Sequence, residues 1–140
     1  MQHLNGQITI RHARLSEAGV KAENADALGL HQPTDTALAT TKGLAAVIAD
    51  GVSSAEAGAR ASRLCVDRFL EDYFKTPDTW SVQTAAEKTL TALNRYLVRR
   101  GQRYPDQKGY VCTLSALNPQ RTIQDTRCRP GTDPTLHLVS

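Results

Sequence analysis

The sequence predicts an α+β fold, a mainly antiparallel sheet with two helices packed on it, and three observations carry that reading. Short apolar or alternating segments of strand length, among them Gly43–Ala49 and Tyr110–Leu117, stand apart in the chain. Between the last two lie two long stretches with helical spacing: Ala61, Leu64, Cys65 and Phe69 recur as one helix face, and Ala86, Leu90, Leu93 and Leu97 as another. Strand and helix periods do not mix within any one segment. With 140 residues the chain has room for one domain and its core.

The elements follow in order. Gln7 to Arg11 alternates, with Ile8 and Ile10 on one side, and reads as a first strand over Ile8–Arg11. Ser16 to Asn24 is a mixed polar connector. Asp26 to Leu30 reads as a second strand that pairs with the first and also with the strand that ends at Asp50, so that Asp26, Asp50 and Gly51 are expected to converge, and Gln32 to Thr41, with Pro33 and several threonines, reads as a loop. Gly43 to Ala49 is a buried strand that delivers Asp50 and Gly51 to a turn. Ser53 stands three residues before Glu56, the spacing of a capping box, so a helix is expected over Ser54–Phe74. Pro77 in the connector KTPDTW bars continuation of that helix. A second capping box, Thr84 with Glu87, opens the next helix. In Tyr110–Leu117, Cys112, Leu114 and Ala116 share one face of a strand.

The character changes at Asn118. Three of the six prolines fall between there and Ser140, and the apolar residues show neither period, so residues 118–140 are expected to form a non-core tail after a domain spanning 1–117.

Composition narrows the function classes. A net charge of +3 with 22% charged residues is too mild to imply nucleic acid or an anionic membrane. The most basic region, Arg95, Arg99, Arg100, Arg103 and Lys108 with Tyr96 and Tyr104, admits a nucleic-acid reading, but a solvated helix face accounts for it more simply. The three cysteines, Cys65, Cys112 and Cys128, follow no disulfide-framework or zinc spacing, which fits reduced thiols in a cytoplasmic protein. No apolar run approaches membrane-spanning length, so neither membrane insertion nor export is expected.

Asp50-Gly51 has two readings. It is a favoured hairpin dipeptide. It is also a carboxylate held between a strand and a helix, beside a glycine whose carbonyl oxygen can approach a divalent cation. The wider wording favours the second. ADGVSSAEAGARAS (Ala49–Ser62), with VKAENADALG (Val20–Gly29) before it and GYVCTLSAL (Gly109–Leu117) after it, resembles the type 2C, metal-dependent protein serine/threonine phosphatases. The likeness spans roughly Ile8 to Leu117 and is greatest to the bacterial form fused to a protein kinase.

The resemblance implies the N-terminal part of an α/β/β/α sandwich, a phosphoserine or phosphothreonine protein as substrate, a protein kinase as a candidate partner, and Mg²⁺ or Mn²⁺, two ions in the complete family site. In that family a water activated between the two ions attacks phosphorus, so no catalytic side chain is implied. Asp50 would be the bridging metal ligand, Gly51 would lend its carbonyl oxygen, Asp26 would serve the second metal or its waters, and Lys21 would bind phosphate where the family often has arginine. Lysine does so as a point charge, without arginine's bidentate fork. Two departures stand out. Ala25 replaces the acidic or amide residue usual before the second aspartate, and Asn118–Ser140 lacks the acidic Gly-Asp-Ser-type motif and later aspartates. These point to a truncated or frame-shifted copy of a longer domain, and to a second reading of the chain as a catalytically inactive fragment or regulatory binding module. A kinase domain is not expected here, since the chain has neither a nucleotide-binding glycine loop nor a His-Arg-Asp motif.

Overall fold

The computed structural model describes residues 11–51, 55–105, 112–118, 121–128 and 137–139, the last two segments as backbone. The strands are β1 (Asp26–His31), β2 (Ala45–Gly51), β3 (Cys112–Asn118), β4 (Arg121–Cys128) and β5 (His137–Val139), and the helices α1 (Thr36–Thr41), α2 (Ala55–Phe74) and α3 (Val82–Arg103). The five strands form one antiparallel meander in chain order, which is the α+β architecture the periods predict.

Alternation along the strands separates two faces. Ala27 of β1, Ala45, Val47 and Ala49 of β2, and Cys112, Leu114 and Ala116 of β3 face the helices and are buried. Against them pack Cys65, Val66, Phe69 and Tyr73 of α2 and Ala85, Ala86, Leu90, Leu93 and Leu97 of α3. The expected stripes of both helices are therefore their core faces. The sheet side of this core is mostly alanine and glycine, so α2 lies close: a Cβ on Gly29 would stand 2.5 Å from Val66 Cγ1 and 2.7 Å from Leu70 Cδ1. The other face of the sheet carries Asp26, Ile48, Asp50, Ser115 and Leu117, all exposed.

At the end of the sheet where β2 begins, a polar cluster ties three elements together. The Tyr73 hydroxyl donates to the Lys42 carbonyl at 2.9 Å, and Asn118 Nδ2 donates to the same oxygen at 2.6 Å and to the Tyr73 hydroxyl at 3.3 Å. Lys42, fully buried, donates its Nζ to the Pro77 carbonyl at 2.9 Å. Burial lowers the Lys42 pKa, against the opposing pull of Asp78, and pushes the Tyr73 phenol up to about 12. Both shifts follow from the cost of charge away from water.

Several sequence expectations are corrected. Residues 36–41 of the expected loop form α1, because Asp35 caps it by accepting from the Leu38 N–H at 2.8 Å. The cap of α3 is Ser81, whose Oγ accepts from Thr84 N at 3.1 Å, while Glu87 binds Gln83 instead of closing a capping box. The largest correction concerns Asn118–Ser140. Asn118 ends β3 and is buried, and β4 and β5 extend the sheet by backbone pairing from the segment expected as a non-core tail. Backbone pairing holds strands added in succession, and apolar counting does not register it. RTIQDTRC also contains the β-branched Thr122, Ile123 and Thr126 and no proline. The expected strand at Ile8–Arg11, Ser53 of the first capping box, and Lys108 lie outside the described residues, except that Arg11 has no regular structure.

Tyr73→Phe removes one donor from the buried cluster and leaves the Lys42 carbonyl to Asn118 alone. The expected cost is about 1–2 kcal/mol of unfolding free energy, read as a lower urea midpoint with an unchanged slope.

Candidate functional site

The β1–β2 register decides the geometry. Asp26 is the direct cross-strand partner of Asp50, and Asp50 is in turn opposite Thr113 of β3. Residues opposite one another in an antiparallel pair project from the same face, so two carboxylates 24 positions apart in the chain meet on the open face, at the end where β2 runs out. The structure thus brings together Asp26 and Asp50, and with them the adjoining Gly51.

Their proximity is visible in their electrostatics. The Asp26 carboxyl is held above the usual carboxylate range, first by partial desolvation, then by a hydrogen bond to Asp50 and by repulsion from its charge, with Lys21 opposing the shift. Lys21 is exposed, in the irregular segment before β1, close enough for its charge to act on Asp26. Folding raises this pKa, so above the ordinary carboxylate value the native state binds more protons than the unfolded chain. Stability therefore falls as pH rises through that window. A cation between the two groups would relieve the same repulsion.

The site is fixed from behind by α2. Gly51 N–H donates to the Ala25 carbonyl at 3.0 Å, and that oxygen also accepts from the buried Ser62 hydroxyl at 2.6 Å. A side chain at Gly51 would collide with the carbonyl of Gly58, and the Gly51 carbonyl oxygen lies 3.2 Å from where a Gly58 Cβ would stand. Two glycines thus let the first turns of α2 touch the end of β2 backbone to backbone. This sets the Gly51 carbonyl against the helix. Ser62 and Gly58 position the acidic pair without belonging to it.

Beside Asp26 opens a cleft of about 290 Å³ lined by Arg14, Leu15, Ser16, Asp26, Ala27, Leu28 and Arg63. Arg63 forms an ion pair with Asp67 at 2.8 Å and reaches the Leu28 carbonyl at 3.4 Å, while Asn24 holds Ser16 by a 2.7 Å hydrogen bond. Sequence reading did not single out Arg14, Arg63, Ser62 or Gly58. Arg63 in particular has the i, i+4 carboxylate partner of an ordinary solvated helix residue, and nothing in its spacing signals a neighbour on β1.

Arg100 and Arg103 of the basic stretch of α3 are engaged within the fold. Arg100 donates to the Tyr96 hydroxyl at 2.7 Å, Arg68 of α2 lies over the Tyr96 ring at 4.6 Å, and Arg100 and Arg103 flank Tyr104. Cation–π contacts of this kind hold a helix surface together.

A donor set of two facing carboxylates suits a hard divalent cation, since oxygen anions are what Mg²⁺ and Mn²⁺ prefer. Among the described residues, no group of three or more His, Cys, Asp or Glu side chains gathers at one point, so water would complete the shell around Asp26 and Asp50. No protein-family model matches this chain, and no curated protein matches it. Among the described residues, no helix is long and apolar enough to cross a membrane.

Two outcomes are expected here. In an NMR titration the Asp26 carboxyl titrates above the ordinary aspartate value in the native chain and moves back toward it in Asp50→Asn, which removes the neighbouring charge. Gly51→Ala, which forces backbone against backbone, should cost about 3 kcal/mol in a denaturant titration.

Proposed function

We propose that this chain carries the early half of a metal-dependent phosphoprotein phosphatase site of the 2C type, acting on phosphoserine or phosphothreonine. The observation that carries the reading is the cross-strand pairing of Asp26 with Asp50, two residues that the family resemblance independently assigns to metal. Asp50 would be shared between two cations, and Asp26 would hold the second or its waters. Mg²⁺ or Mn²⁺, when bound, would supply Lewis acidity toward phosphoryl oxygens and toward water.

The chain's own residues do the rest. The acidic pair orients and charges the site. Partial desolvation makes it an unfavourable place for two negative charges alone, which favours cation entry. Lys21, close enough to act on Asp26, offers a positive charge to a phosphoryl group approaching the same end of the sheet. Arg14 and Arg63 add cationic walls to the adjoining cleft. Their charge suits the anionic flank of a phosphopeptide substrate. A cytoplasmic setting and a protein kinase partner belong to the same proposal.

A second reading has its own support in the sequence. The sequence that follows Leu117, Asn118-Pro119-Gln120-Arg121, contains no carboxylate, so the site depends on two aspartates where Mg²⁺ ordinarily takes six oxygens. On this reading the chain binds a cation and a phosphorylated partner without turning the phosphate over.

One experiment separates the two. Purified chain is supplied with millimolar Mn²⁺ and p-nitrophenyl phosphate, and Mg²⁺ binding is followed in parallel through the Asp26 and Asp50 resonances. Slow, Mn²⁺-dependent hydrolysis that drops at least ~100-fold in Asp50→Ala is the outcome expected of the enzyme. Cation binding without turnover assigns the chain to the second reading, and neither binding nor turnover removes the metal site.

A further inference from the structure

The fold collects thiols that are far apart in the sequence. Cys65 lies on α2 and Cys112 begins β3, 47 positions later, yet their sulfurs are 2.9 Å apart and both residues are fully buried. Cys128, the third and last cysteine of the chain, is the cross-strand partner of Cys112 on β4. On its other side Cys112 is the partner of Gly51. All three cysteines thus converge on the end of the sheet that carries the acidic pair.

We infer that Cys65 and Cys112 form an oxidisable pair, a modification site at which a hydroperoxide links α2 to β3 through an intrachain disulfide. A disulfide has its sulfurs about 2.05 Å apart, so bond formation asks the two sulfurs, now 2.9 Å apart, to close by only roughly 0.9 Å. Hydrogen peroxide balances the reaction. One sulfur attacks a peroxide oxygen, the O–O bond breaks, and a sulfenic acid and one water result. The second sulfur then attacks the sulfenic sulfur, the S–O bond breaks, and the hydroxyl leaves with the remaining thiol proton as a second water. Two thiols lose two electrons, and one peroxide gains them.

Burial selects the oxidant. A bulky disulfide cannot reach sulfurs with no exposed surface, whereas a molecule the size of peroxide enters through small local openings of the fold. The apolar surroundings, including Val66, Phe69 and Leu114 in the same core cluster, also hold the partner thiol beside a sulfenic acid, so that disulfide closure outruns further oxidation. Because the link joins a helix to a strand across a long chain segment, it removes much freedom from the unfolded chain. It also clamps α2 against the sheet about two helical turns beyond the contact of Gly58 with Gly51.

The inference is independent of any phosphatase activity and is tested without it. The folded chain is treated with hydrogen peroxide, then alkylated in denaturant and digested with trypsin without reduction. Leu64–Arg68 should appear joined to Gly109–Arg121, two hydrogens lighter than the separate peptides, with Cys128 the only alkylated thiol. The melting temperature should rise by roughly 10 °C and return on adding dithiothreitol. Cys128→Ser should keep both the link and the shift. Three alkylated thiols, a Cys112–Cys128 link, cross-links only between chains, or sulfinic and sulfonic acids on separate cysteines would each overturn the inference.

Discussion

The close approach of α2 to the first two strands is the constraint on which the rest of this structure depends. A helix can lie this near a sheet only where side chains are small, and here the contact is made by Gly29 under Val66 and Leu70 and by Gly51 against Gly58. With the helix drawn in, the Ser62 hydroxyl reaches the Ala25 carbonyl, an oxygen already accepting from Gly51 N–H. One backbone oxygen therefore ties the start of β1, the end of β2 and α2 together. Asp26 follows Ala25 directly and Asp50 precedes Gly51. The two carboxylates are held by the same clasp.

The two ends of the sheet divide the work. At one, Tyr73, Lys42 and Asn118 form a buried polar cluster whose donors and acceptors face one another, so the cost of removing them from water is offset by hydrogen bonds. At the other, two like charges stand side by side on the open face, and the cost shows as the raised Asp26 pKa. Stability is gained at the first end and given up at the second.

The open face of the sheet has a bearing on how the chain behaves. Ile48 and Leu117 are about half exposed, on the face that also carries the acidic pair. An antiparallel sheet tolerates one solvated face. Here that face is partly apolar, and the acidic pair sits at its rim.

What the sequence determined by itself was the set of local periods and one constellation of residues. The stripes of α2 and α3 and the core positions Val47, Leu114 and Ala116 follow from side-chain spacing, because burial of one face is a local, periodic demand, whereas Asp50 and Gly51, expected in a turn after the strand, are the last two residues of β2. Legible too was the pairing of the strand that starts at Asp26 with the one that ends at Asp50, since an antiparallel register matches starts to ends. What only the tertiary structure decided were features that leave no period. Strand β4 is held by backbone hydrogen bonds to β3, and apolar spacing has no sign for these. Ser62, Gly58 and Arg63 take their meaning from β1 and β2, elements well before them in the chain, and in isolation they read as ordinary helix residues. The meeting of Cys65 with Cys112 is of the same kind: each is a core residue by its own period, and only the packing of α2 on β3 makes them a pair.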